Sequence, residues 1–171
     1  MHTRSLQKLS YGMYVVTAVR NDKLYGCVIN TAVQITSSPE QVAISVNHDN
    51  ATHDAILQSG TFAISILPTD CDPALIGGFG YRSSRDADKF EGVSYHLEND
   101  MPVLDAAMGW CTCQIEQSMD AGSHTIFLGK VLQGAVTRED AIPMTYQFYR
   151  SVIKGKSPKN APTYVPPEEN T

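Results

Sequence analysis

The sequence predicts a mainly β protein, a barrel or a sandwich, with few and short helices. Short runs of β-branched and apolar residues recur along the 171 residues, separated by Asn, Asp, Gly and Pro turn signals. Two runs alternate cleanly. In 41–47, Val42, Ile44 and Val46 share one face, and Ala43, Ser45 and Asn47 the other. In 61–67, Phe62, Ile64 and Ile66 oppose Ala63 and Ser65. Helical stretches are too few to cover both faces of a parallel sheet, which argues against a doubly wound fold.

The chain is long enough for one domain with a real core. Its net charge of −5 argues against a nucleic-acid binder, which needs a basic face. No apolar run reaches membrane-spanning length, and residues 1–10 are polar, without the apolar run of a secretion signal. Cys27, Cys71, Cys111 and Cys113 form no C-x-x-C pair. They read as reduced thiols of a cytoplasmic protein, serving mostly as core filler, with no metal site.

In chain order, 6–9 reads as a helical turn and 13–19 as a strand. Asn21-Asp22-Lys23 makes a hairpin turn, and Leu24 opens the next strand. The stretch 26–39 comes next, two short strands around a polar insert at Asn30-Thr31. Extended, Thr31, Val33 and Ile35 face one way, and Asn30, Ala32, Gln34 and Thr36 the other. His48-Asp49-Asn50 breaks the strand that begins at Gln41. Residues 51–59 read as a helix capped by Asp49 or Asn50, with Ile56 and Leu57 turned inward and Gly60 as its stop. A second short helix is expected over 72–79 with Pro73 in its first turn, and Gly77, Gly78 and Gly80 loosen the chain at its end. Residues 81–89 form a charged, hydroxyl-rich loop. Further strands are expected from Phe90, with a turn at Asn99-Asp100, and over 108–117. Past a turn at 120–123, a long strand over 125–136 is broken by Gly129 and Gly134. From Lys154 the chain turns polar and Pro-rich, which suggests an extended arm or linker over 154–171 after a domain of 1–153.

Four polar clusters carry the chemistry. Asn30, Thr31 and Gln34 place amides and a hydroxyl along one extended segment. Ser45, Asn47, Asn50 and Thr52 sit where a strand runs into a helix start, whose unpaired N–H groups suit a phosphate. Arg82, Ser83, Ser84, Arg85 and Lys89 offer charge-assisted hydrogen bonds, with Asp86 and Asp88 among them to make internal ion pairs. His124 comes after a Gly turn at the mouth of a strand. No Walker loop, G-x-G-x-x-G fingerprint or Ser/His/Asp order is present.

These pieces, in this order, resemble the flavin reductase-like family, the FMN-binding split β-barrel. The resemblance rests on Tyr11-Gly12 with Val15-Val16-Thr17, on 26–39, 45–52, Gly60-Thr61-Phe62, 83–90 and 122–129, and so covers the chain to about Arg150. It looks closest to flavoredoxin and to the flavin domain of flavin–rubredoxin electron-transfer proteins. The stretch 149–167 resembles the linker to a rubredoxin, and no cysteine comes after it here.

The resemblance implies a homodimer binding FMN, with FAD possible, near its interface. Asn30, Thr31, Ala32 and Gln34 would line the ring. Ser45, Asn47, Asn50 and Thr52 would take the ribityl chain or phosphate. Ser83, Arg85, Lys89 and Phe90 would complete the phosphate site, with Lys89 as an exposed loop charge. His124 matches the family histidine near flavin and nicotinamide. The chain departs from the family at Ser84, where Gly is common, and at Ser123, where Asp is common. The implied activity takes electrons from NAD(P)H to rubredoxin, a flavodiiron protein, free flavin or oxygen. The alternative is a non-catalytic FMN carrier reduced by a partner protein.

Overall fold

The computed structural model describes residues 3–156, 158–159 and 161–164. Strand β1 (Tyr14–Arg20) returns as β2 (Lys23–Ile29) through Asn21-Asp22, both at positive φ, the two-residue turn whose twist suits a hairpin. Strands β3 (Ala32–Ser37) and β4 (Glu40–Asn47) form a second hairpin, which leads into helix α1 (Ala51–Ser59). Next come strand β5 (Thr61–Ile66), helix α2 (Pro73–Tyr81), the small hairpin β6 (Tyr95–Glu98) and β7 (Met101–Leu104), and the long strands β8 (Gly109–Asp120) and β9 (His124–Val136). Helix α3 (Tyr146–Ser151) comes last.

Seven strands make one antiparallel sheet in the order β2-β1-β5-β8-β9-β4-β3. Its two outermost strands are neighbours in sequence, joined by Asn30-Thr31 alone. The sheet therefore curls until its edges meet at that joint, and β2 and β3 share no ladder there. This is the barrel with a split that the sequence resemblance implies. One core fills it, with Val16, Ile44, Val46, Phe62 and Phe127, closed at one end by Ala55 and Ile56 of α1. A second core lies outside β1, where Val15 meets Ile76 and Phe79 of α2, Phe90, and Tyr146 and Tyr149 of α3. Burying each such side chain contributes about 1.5–3 kcal/mol.

The helix start at Ala51 and its stop at Gly60, which sits at φ 70, agree with the sequence reading. Leu57 does not turn inward and is 52% exposed, because only one face of α1 meets the barrel. Val33 and Ile35 are also exposed, since β3 is an edge strand. Helix α2 runs through Gly77, Gly78 and Gly80 instead of loosening there. Its Asp72 cap on Ala74 N–H, Pro73 and the buried Ile76 and Phe79 outweigh the glycine cost of about 1 kcal/mol each. Strand β9 likewise continues through Gly129 and Gly134. At Gly129 a Cβ would stand 2.6 Å from the Phe62 ring, so the glycine makes room for the core without breaking the strand.

The C-terminal stretch is not simply extended. Turns close from Pro158 to Ala161 and from Ala161 to Tyr164, and Thr163 is buried against the domain. The rest of the expected arm, 165–171 with 157 and 160, lies outside the described residues.

Candidate functional site

The barrel seam opens onto a cavity of about 260 Å³. Strand β2 ends there, bringing Cys27, Ile29 and Asn30; the end of β4 brings Ser45 and Asn47. Asn47 pairs in register with His124, the first residue of β9. The β4–α1 corner adds Asp49 and Asn50, and α2 adds Ile76 and Phe79. Arg82 and Ser83 come from the loop after α2, and Tyr146 and Tyr149 from α3. The remaining wall is the C-terminal stretch, through Pro158, Ala161, Pro162 and Thr163.

Three regions of different chemistry result. At the seam, the Asn30 amide is held at both ends: Nδ2 donates to Thr163 Oγ1 (2.8 Å), and Oδ1 accepts from the Thr31 hydroxyl (3.1 Å). One N–H and one lone pair of that amide are left over. Along the middle run apolar and aromatic side chains. At the α1 end, Asn50 occupies the N-cap without a side-chain cap bond, so its side chain satisfies none of the first-turn N–H groups. Beside it Arg82 is exposed and makes no hydrogen bond or ion pair with the described residues. A helix start and an exposed guanidinium suit an anion.

His124 stands between these regions. Its Nδ1 lies 2.9 Å from Ser123 Oγ. Burial, and then the neighbouring His48, hold its proton affinity below the usual histidine value. Behind it, Nε2 of His48 and Nε2 of His53 both bond Thr125 Oγ1, at 3.0 and 2.8 Å. A hydroxyl has one proton, so it can donate to at most one of the two rings, and at least one Nε2 must carry a proton.

A family model for the flavin reductase like domain matches residues 6–154. The chain belongs to that family. It is 42% identical over 167 residues to a high molecular weight rubredoxin of Moorella thermoacetica, a match covering 96% of this chain and 72% of that one. It is 36% identical over 166 residues to a ferric-chelate reductase (NAD(P)H) of Archaeoglobus fulgidus, covering 96% of this chain and 98% of that one. Among solved structures, an NADH:FAD oxidoreductase of Streptomyces globisporus matches with a TM-score of 0.75 at 26% identity, over 83% of this chain and 84% of that one.

A polar amide at one end, an apolar middle and an anion corner at the other end match the chemistry of a flat ring with a phosphate tail. The ring would lie along the apolar middle with its polar edge at Asn30, and the phosphate at the Asn50, Ser83 and Arg82 corner. Of the residues expected from sequence, Asn30, Ser45, Asn47, Asn50, Ser83 and His124 line this cavity.

The others stand elsewhere. Thr31 acts on Asn30, and its carbonyl accepts from Ser45 N–H (3.2 Å). Ala32 packs against the barrel core. Gln34 is exposed and donates to Thr36 O. Thr52 is buried in the first turn of α1, where its hydroxyl has no oxygen or nitrogen partner among the described residues. Phe90 is a core residue, edge-on to Phe79.

Arg85 spans back to the β4–α1 corner, donating to Asp49 O (2.8 Å) and Asp54 Oδ2 (3.2 Å). Burial works to raise the Asp54 pKa, but bonds from His53 and Arg85 outweigh it and hold the carboxyl below its ordinary value. Lys89 is not the exposed loop charge expected. It is 7% exposed, and Nζ donates to Gly26 O and Phe79 O, both at 2.9 Å. Burial lowers its pKa, and the Cys27 thiol opposes that weakly. A lysine whose stem packs inward and whose head finds two carbonyls belongs to the fold.

The sequence reading missed α3 and the C-terminal wall. The Thr145 cap, whose Oγ1 accepts from Phe148 N–H, with Tyr146 and Tyr149 three apart, was a usable helix signal. Nothing in the sequence there signals that Pro158, Ala161, Pro162 and Thr163 line the cavity.

Proposed function

We propose that this protein is a flavin-dependent oxidoreductase that passes electrons from NAD(P)H to an acceptor, with FMN as its resident flavin. The observation that carries the reading is a cavity that joins a polar ring-edge group, an apolar slot, an anion corner and His124. When bound, the flavin supplies the redox chemistry. The chain's own residues bind and orient it. The Asn30 amide meets the ring edge and favours the charge of the reduced form. Asn50, Ser83 and Arg82 hold the phosphate. His124 is neutral near pH 7, so it offers a ring nitrogen or an N–H at the site without adding charge.

FMN suits the anion corner as a single phosphate. The rubredoxin relative supports a redox protein such as a rubredoxin as acceptor, and a flavodiiron protein is the other acceptor of this class. A homodimer is part of the proposal, supported by Val33, Ile35, Met119, Leu132 and Val136, large apolar residues left exposed on β3, β8 and β9. So is a cytoplasmic setting, supported by four unbridged cysteines. No described helix is long and apolar enough to cross a membrane.

The test is a visible spectrum of the purified protein with FMN or FAD added, then anaerobic NADH or NADPH. Bound flavin that bleaches with a nicotinamide supports the proposal. Bound flavin that only dithionite reduces makes the protein a carrier fed by a partner. A protein that ignores both flavins sinks the reading.

A further inference from the structure

The chain beyond residue 154 lies outside the matched flavin reductase domain, yet it forms one wall of the cavity. It is pinned at both ends. At the near end, Lys154 at φ 61 reverses the chain after α3, and Gly155 N–H donates to Tyr149 O (3.0 Å). The Lys156 carbonyl then accepts from the phenols of Tyr81 and Tyr149. At the far end, Thr163 is 8% exposed and takes the Asn30 amide on its hydroxyl oxygen at 2.8 Å. Between the pins, Pro158, Ala161 and Pro162 face the cavity, and two turns keep the segment short.

We propose that Lys156, Pro158 and Ala161 to Thr163 are a working part of the flavin site: a strap that fixes the Asn30 amide through Thr163 and retains the flavin between turnovers. The inference rests on the flavin reading above. Two physical points carry it. First, an Asn side chain can swing about its bonds, and its partners decide whether it stays at the ligand. Thr163 and Thr31 hold the two ends of the Asn30 amide at 2.8 and 3.1 Å, so it is fixed in place before any ligand arrives. Second, Pro158, Ala161, Pro162 and Thr163 form one wall of the cavity, so a ring held there is closed in on that side and leaves more slowly than from an open cleft.

The test uses the intact chain loaded with FMN. Flavin release is tracked by the fluorescence that returns on rapid dilution, and the equilibrium affinity by titration. Thr163→Val keeps the shape and removes the hydroxyl. It should release FMN about fivefold faster, the worth of one buried hydrogen bond. Adding Tyr81→Phe, which loosens the near pin, should speed release further. Thr163→Ser keeps the hydroxyl and should hold FMN as the parent does. Equal release rates in Thr163→Val and the parent overturn the inference and leave the flavin reading intact. Tighter binding in Thr163→Val also overturns it, because the strap would then compete with the flavin. A parent chain that takes up no FMN overturns both.

Discussion

Two segments of this molecule look alike in sequence and behave differently in the fold. The β4–α1 corner (48–54) and the loop after α2 (82–89) both read as places for a phosphate. In the corner, Asn50 occupies the N-cap of α1, and Asp49 and Asn50 line the cavity beside Asn47. The loop divides its charges. Lys89 turns into the core, Arg85 ties the loop to Asp49 and Asp54, and only Arg82 and Ser83 line the cavity. The difference is that the corner acts largely through backbone, whose direction is set by strand and helix limits. The loop acts through long side chains, which reach any of several neighbours.

The strongest way to break this contrast is Lys89→Ala. If Lys89 belongs to the fold, the change takes a charged donor from the Gly26 and Phe79 carbonyls and hollows the second core, lowering unfolding free energy by about 2–4 kcal/mol. Urea denaturation reads this directly. A variant as stable as the parent but poor in flavin would restore Lys89 to the phosphate site. Next in size is Arg82→Ala, which should weaken FMN about tenfold by losing one charge-assisted contact. Arg85→Ala should cost less than about 1 kcal/mol of stability, because its pair with Asp54 is exposed, and should change FMN affinity less than about threefold, by the same standard. Equal losses of flavin affinity in the two arginine variants would erase the distinction between them.

The smallest effect concerns pH. The His124 pKa in the folded protein lies below its ordinary value of 6.5. Well above pH 6.5 the imidazole is neutral whether the chain is folded or not. As pH falls through that value the unfolded chain takes up the proton first, so stability declines until the folded imidazole protonates too. His124→Gln should flatten that decline while leaving stability above it unchanged. Denaturation midpoints on both sides of pH 6.5 would show the same slope in both proteins if His124 plays no part.

Much of this was legible in the residues. Alternation in 41–47 and 61–67, the Asn21-Asp22 and Asn99-Asp100 turns, and Asn50 with Gly60 around α1 each state a local rule that the fold obeys. Asn30, Asn47 and His124 could be singled out because polar side chains at strand ends need partners. What stayed hidden depends on distant neighbours. Lys89 is buried only because α2 and β2 offer carbonyls where its head arrives, and no spacing encodes that. Leu57 looked like core because its helix was read without knowing how narrow a face the barrel offers. The placing of Lys156 and Thr163 against the domain depends on Tyr81, Tyr149 and Asn30, three residues far apart in the chain.

The register pair of Asn47 and His124 also says when the site comes into being during folding. The β1–β2 hairpin closes through a two-residue turn, whereas β4 and β9 bring together positions such as His48 and Thr125, 77 residues apart in sequence. Closing so long a loop is entropically late, after local pairing has formed. A chain that has folded only its first four strands holds Asn30, Ser45 and Asn47 but lacks His124 beside them. Competence to take up a ligand therefore arrives with the most distant strand pairing of the sheet, so ligand uptake during refolding would time that closure.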